Sequence, residues 1–151
     1  RWRAMEFARQ FAPLVAQVIA REDPFHRIDL RITDQLTARA DGPLLSRAIA
    51  NLVRNALRYA GDSAAITLTA SQRTDHVQII IEDDGPGVPA ESLARLGEPF
   101  YRPELARTRE GGGVGLGLAI VRSAITASGG EVRFSNREPH GFHAEIILKN
   151  E

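Results

Sequence analysis

Two runs in the middle of the chain carry apolar residues at every second position: Ile66-Thr67-Leu68-Thr69-Ala70 and Val77-Gln78-Ile79-Ile80-Ile81-Glu82-Asp83. A period of two belongs to the pleated strand, so each run presents one apolar face that another layer has to cover. The link at 71–75 is short enough for an antiparallel hairpin. The covering layer is written into residues 43–59, where Leu45, Ala48, Ile49, Leu52, Val53, Ala56 and Leu57 fill one broad helical face. Asp41 is placed to cap that helix, Pro43 fits its first turn, and Gly61-Asp62-Ser63 ends it.

The flanking segments extend this pattern. Phe11, Leu14, Val15, Val18 and Ile19 recur at helical spacing, with Pro13 in the first turn and a break at Asp23-Pro24. Strand periodicity returns at 28–32, and a short extended piece follows near 36–40. A short helix is expected at 91–96, a buried helix at 116–128 stopped by Gly129-Gly130, and two closing strands at 131–135 and 142–148. Between 97 and 112 there is no apolar periodicity, and a loop of that length inside a compact domain is usually functional or mobile. The order predicts an α/β two-layer sandwich in one domain, 1–151, with a mixed, mostly antiparallel sheet covered on one face by helices. Residues 1–22 read as an N-terminal helical segment. The chain opens on Arg1-Trp2-Arg3 without an initiator Met, which reads as an excised domain.

Composition removes several function classes. There is no Cys, hence no disulfide framework and no thiolate nucleophile. Nineteen basic residues balance nineteen acidic ones, so no global field favours nucleic acid or an anionic membrane. No apolar run approaches the roughly 20 residues of a membrane span.

Asp83 continues the apolar register of Val77, Ile79 and Ile81, on the face expected to be buried. An unpaired carboxylate there costs several kcal/mol. It either caps its own turn through the N–H of Gly85 or Gly87, or it accepts a hydrogen bond from a ligand amine. Asn51 and Asn55 stand four apart on one helix edge, beside Arg47, Arg54 and Arg58. Such an edge is often only solvated, but amide oxygens also suit a hard cation such as Mg²⁺ that bridges phosphates. Arg58 would then face phosphate and Tyr59 would offer its ring to a base, unless it simply packs at the helix end. Finally, Gly111-Gly112-Gly113-Val114-Gly115-Leu116-Gly117 runs directly into an apolar helix. A glycine run at a helix N-terminus is either a phosphate cradle of free N–H groups or a hinge.

Together these stretches resemble the motif set of sensor histidine kinases. Asn51-Leu52-Val53-Arg54-Asn55-Ala56-Leu57-Arg58-Tyr59 resembles the asparagine box, and Asp83-Asp84-Gly85-Pro86-Gly87 the first glycine box. Pro99-Phe100-Tyr101-Arg102 is similar to the phenylalanine box, and the run from Gly113 to Val121 to the second glycine box. The likeness is greatest to envelope-stress and osmosensing kinases of Gram-negative bacteria. It implies the Bergerat ATP-binding fold, with ATP and Mg²⁺ as ligands. Asp83 would accept from the adenine amine, with Gly85, Gly87 and Val88 as further nucleotide-binding residues. Asn55 would coordinate Mg²⁺, helped by Asn51, while Arg58 neutralises phosphate and Tyr59 packs on the nucleotide. Residues 97–112 become the ATP lid, anchored by Phe100, with Arg102 a phosphate contact. Gly113, Val114, Gly115, Leu116 and Gly117 would close on the phosphates through backbone N–H groups. Val114 departs from the Thr or Ser frequent in the family, which loses a hydroxyl but no backbone donor.

In ATP-hydrolysing relatives of that fold the position of Asn51 is a Glu that activates water, and Asn has no comparable basic site. Asn51, Asn55, Arg58 and Arg102 are therefore expected to serve phosphoryl transfer by positioning and electrostatics. The family's phosphorylated His precedes an acidic residue. Here His26, His76, His140 and His143 precede Arg27, Val77, Gly141 and Ala144, so the acceptor is expected on a separate dimerisation domain. The resemblance further implies a response regulator as partner, no nucleic acid, a monomeric isolated domain, and a full-length membrane-bound homodimer in the bacterial inner membrane with this domain in the cytoplasm. A Glu-less ATPase and a non-catalytic nucleotide sensor are the alternatives.

Overall fold

The structure, a computed structural model, describes residues 4–6, 11–32, 37–98 and 114–149. Among the described residues the elements follow in the order β1 (Ala4–Glu6), α1 (Phe11–Glu22), β2 (Ile28–Ile32), β3 (Thr37–Arg39), α2 (Gly42–Tyr59), β4 (Ile66–Gln72), β5 (His76–Asp83), α3 (Ala90–Leu93), α4 (Val114–Ala127), β6 (Glu131–Asn136) and β7 (Phe142–Lys149). Five strands form the main sheet in the order β2-β4-β5-β7-β6, and β1 pairs with β3 in a separate two-stranded sheet. Only β2 and β4 run parallel, and the connection through α2 supplies the crossover that a parallel pair needs; the other pairs of the main sheet are antiparallel. The mixed, mostly antiparallel sheet expected from the sequence is present.

Alternation decides which face is covered. Along β5 every second residue from Val77 to Asp83 is buried, and β4 and β7 repeat the pattern. Ile66, Leu68, Ile79 and Ile146 meet Leu45 and Ile49 of α2 and Leu118 and Ile125 of α4 in one core. Each such side chain contributes about 1.5–3 kcal/mol by leaving water. Helix α2 starts where expected: the Asp41 carboxylate accepts from the Leu44 N–H at 3.1 Å, with Pro43 in the first turn. At the α1–β2 corner the buried carboxylate of Asp23 accepts from the N–H groups of Arg27 and Ile28, which accounts for the sharp break at Asp23-Pro24.

Three boundaries differ from the sequence reading. The N-terminal segment is not helical throughout: residues 4–6 form a strand, and α1 begins at Phe11. Helix α3 stops at Leu93, and the chain continues in three-residue turns up to Gly97, whose φ of +91° ends regular structure. Helix α4 begins at Val114 rather than at 116, so two glycines lie inside its first turns.

Candidate nucleotide site

The turn after β5 is built around Asp83, which stands at the end of the central strand and is 5% exposed. Its Oδ1 accepts from the Gly85 N–H at 2.8 Å and from the Phe142 N–H of the neighbouring strand at 3.3 Å. The cap anticipated at Gly85 is therefore made, and a second donor comes from β7. Burial is the main influence on this carboxyl and raises its pKa above the ordinary value; the two backbone bonds work the other way, Asp84 adds to the rise and Arg137 opposes it. Asp84 ties the turn to the start of β4, accepting from the Ala65 N–H at 2.7 Å. Gly85 is required sterically: a Cβ there would lie 2.3 Å from the Ala60 oxygen. That contact sets the turn against the last residues of α2, next to Tyr59.

The glycine turn is also held from outside by the β6–β7 connection, which the sequence motifs do not reveal. Asn136 grips the backbone of Val88 in both directions, Nδ2 donating to its carbonyl at 2.6 Å and Oδ1 accepting from its N–H at 3.0 Å. Arg137 donates to the Asp83 carbonyl at 2.9 Å. His140 approaches the Gly85 carbonyl at 3.3 Å. Gly87, with φ +72°, has no room for a Cβ beside Asn136 and Gly141.

The second group of residues lines a cleft of about 480 Å³ along α2. Asn51, Asn55, Arg58 and Tyr59 all face it, together with Leu57 and Arg54. Gly117 closes it from α4, where a Cβ would come within 3.5 Å of Asn51 Oδ1. Asn51 donates through Nδ2 to the Arg47 carbonyl at 2.9 Å, which orients its amide oxygen away from the helix backbone. Asn55 differs: its Oδ1 is buried and has no hydrogen-bond partner among the described residues. An orphaned carbonyl oxygen normally costs about 1–3 kcal/mol, and an amide oxygen on a residue that lines a cleft is a ligand type suited to Mg²⁺. The residues present fit that ion. Glu22, the last residue of α1, also reaches this cleft and bonds Arg54 at 2.7 Å. Nothing in the local sequence marks that contact, because the two residues are 32 positions apart.

Val114, Gly115 and Leu116 form the first turn of α4, so their N–H groups are among those a helix leaves without internal partners. Phe100, Arg102, Gly113 and most of the 97–112 segment read as a lid lie outside the described residues. Among the described residues no helix is long and apolar enough to cross a membrane.

Comparison with known proteins agrees with this fold. The chain is 45% identical over 104 residues to the sensor histidine kinase CpxA of Escherichia coli K12, covering 69% of this chain and 22% of that protein. The mycobacterial sensor histidine kinase MprB superposes with a TM-score of 0.79 at 25% identity, over 99% of both chains. Full-length ShkA, solved in complex with AMPPNP, superposes with a TM-score of 0.77 at 25% identity, over 99% of this chain and 32% of that one. The chain thus spans about a fifth of the length of its curated relative CpxA. Residues 40–151 match the family described as histidine kinase-, DNA gyrase B- and HSP90-like ATPase, and the chain is an ATP-binding domain belonging to that family.

Proposed function

We propose that this domain presents ATP to a histidine on a separate dimerisation domain and transfers the γ-phosphoryl group to it. The observation that carries the proposal is the buried amide oxygen of Asn55, without a partner among the described residues, on a residue that lines one cleft with Asn51, Arg58 and Gly117. Asn55, assisted by Asn51, would hold Mg²⁺, which would supply positive charge to screen the phosphates. Arg58 neutralises phosphate, and Tyr59 packs against the nucleotide. The amides of Val114, Gly115 and Leu116, at the positive end of α4, receive phosphate oxygens. At the other end, Asp83 accepts from the adenine amine; its two described bonds both use Oδ1. Gly85, Gly87 and Val88 line the base. Phe100, Arg102 and Gly113 complete the site from the lid.

Transfer to histidine rather than to water is supported by the carboxylates of the cleft. Activation of water needs a base, and Asn51 has none to offer. Glu22 is the single carboxylate among the described lining residues, and its hydrogen bond to Arg54 holds its pKa below the usual value. It is a poor proton acceptor. In the full-length protein the domain lies in the cytoplasm, attached to a membrane-bound homodimer that passes the phosphoryl group to a response regulator.

The test is to incubate the chain with labelled ATP, Mg²⁺ and the His-bearing domain of the same protein. Acid-labile label on the acceptor is the expected result. Steady phosphate release without an acceptor, or tight ATP binding with no transfer, would overturn the proposal.

A further inference from the structure

The ion pair between Glu22 and Arg54 stands in the phosphate end of the cleft without a part in the site described so far. It is an unusual place for a carboxylate. Glu22 is the last residue of α1, where the helix dipole disfavours negative charge. It also lines a cleft that has to receive a polyanion. Its side chain is only 14% exposed, while that of Arg54 is 56% exposed. A carboxylate so placed is there for its partner. The described bond runs from Arg54 Nη2 to Glu22 Oε2, and Arg21 Nε approaches the same oxygen at 3.3 Å. Guanidinium has five N–H donors in a rigid fork. With Nη2 fixed by Glu22, the remaining donors on Nε and Nη1 have no partner among the described residues and can meet an anion in a preset orientation. Arg54 also lines an adjoining hollow of about 390 Å³ that shares Asn51 with the main cleft, so it stands at the boundary of both.

We infer that Arg54 is a second phosphate-binding cation of this site, beside Arg58, and that Glu22 is the positioning residue that holds its guanidinium across the cleft. The inference rests on the nucleotide reading above and names an additional determinant of phosphate recognition. The pair sits at the α2 edge with Asn51 and Asn55, whereas Asp83 stands at the end of β5, so it discriminates by phosphate number and not by base.

The experiment compares the affinities of ATP and AMP, each with Mg²⁺, for the parent chain and four variants. Arg54→Ala is expected to weaken ATP about tenfold, the range of one partly exposed charge-assisted contact, and to leave AMP within twofold. Arg54→Lys should recover part of the loss. Glu22→Gln should weaken ATP about threefold in the parent, and the double variant should be no weaker than Arg54→Ala alone, because Glu22 acts through Arg54. The AMP arm reports a merely structural role, since a loosened α1–α2 contact would lower both affinities together. Equal losses for ATP and AMP, or an ATP affinity of Arg54→Ala within twofold of the parent, would overturn the inference. A parent chain that binds neither nucleotide would remove the underlying reading along with it.

Discussion

Replacing Asp83 by Asn separates recognition from folding more cleanly than any other single change in this domain. The amide oxygen can occupy the place of Oδ1 and keep the bonds from the Gly85 and Phe142 N–H groups at 2.8 and 3.3 Å. Both bonds lose their charge-assisted component, roughly 1 kcal/mol each. Against that, the substitution removes the burial of a charge at a residue 5% exposed, and burial is the leading influence on its pKa. The two effects oppose each other, so stability should stay within about 1 kcal/mol, or roughly 2–4 °C in Tm for a chain of this length. Binding has no such offset. Where the carboxylate accepted from an amine, Asn presents its own N–H₂, and a charge-assisted bond worth about 1.5–3 kcal/mol is lost. That is roughly ten- to a hundredfold in Kd. Calorimetric titration with ATP, alongside a thermal melt, measures both quantities on one sample. A 6-oxopurine triphosphate adds an internal control. Its carbonyl at the amine position should be relatively better tolerated by Asp83→Asn than by the parent. An ATP affinity within threefold of the parent, or a loss of binding that tracks a collapsed Tm, would show that the carboxylate does not read the base.

Asn55→Ala should abolish Mg²⁺-dependent ATP binding while leaving Tm unchanged or a few degrees higher, because it deletes a buried oxygen that has no partner; a lower Tm in the melt would show that Asn55 serves the fold. Gly85→Ala and Gly117→Ala form a matched pair. The first drives a Cβ to 2.3 Å from the Ala60 backbone and should cost about 1–3 kcal/mol, whereas the second meets Asn51 at 3.5 Å and should leave the melting curve in place. The two perturbed carboxylates titrate in opposite senses. Asp83 has a raised folded pKa, so its contribution to stability declines as pH rises from 3.8 through that raised value, and the Tm of Asp83→Asn should gain on the parent over the same interval. Glu22 has a lowered folded pKa, so its contribution is complete above 4.5 and lost as pH falls through the lowered value. The Tm difference between the parent and Glu22→Gln should therefore shrink on acidification, and a difference that grew instead would contradict the Arg54 pairing.

Legibility in the sequence followed the range of the forces involved. Asp41 capping α2, the burial of every second residue of β5, and the break at Asp23 are local matters of hydrogen bonding and period, decided within a few residues. The side chains of the asparagine edge were equally legible, because residues four apart on one helix share a face wherever that helix packs. The start of α4 was not. Glycine is a poor helix former, so Gly115 and Gly117 argue locally against a helix. Burial of Leu118, Val121 and Ile125 against the sheet outweighs that preference and carries the helix back to Val114. Strand β1, three residues long, has no periodicity of its own and exists through its pairing with β3. The clamp on the glycine turn is the most instructive omission. Asn136 reaches Val88 across 48 positions and Arg137 reaches Asp83 across 54. Neither residue belongs to any motif that a ligand would impose: Asn136 meets the backbone of Val88, and Arg137 meets the Asp83 carbonyl and, at 3.7 Å, the Glu82 carboxylate. Their chemistry is nevertheless what fixes the carboxylate: with the Asp83 carbonyl bonded to Arg137 and the Phe142 N–H bonded to Oδ1, the end of the central strand is held from both of its polar ends. A motif lists the residues that meet the ligand. In the proposed site, the precision with which Asp83 would meet adenine comes from a hairpin that lies more than 50 positions further along the chain.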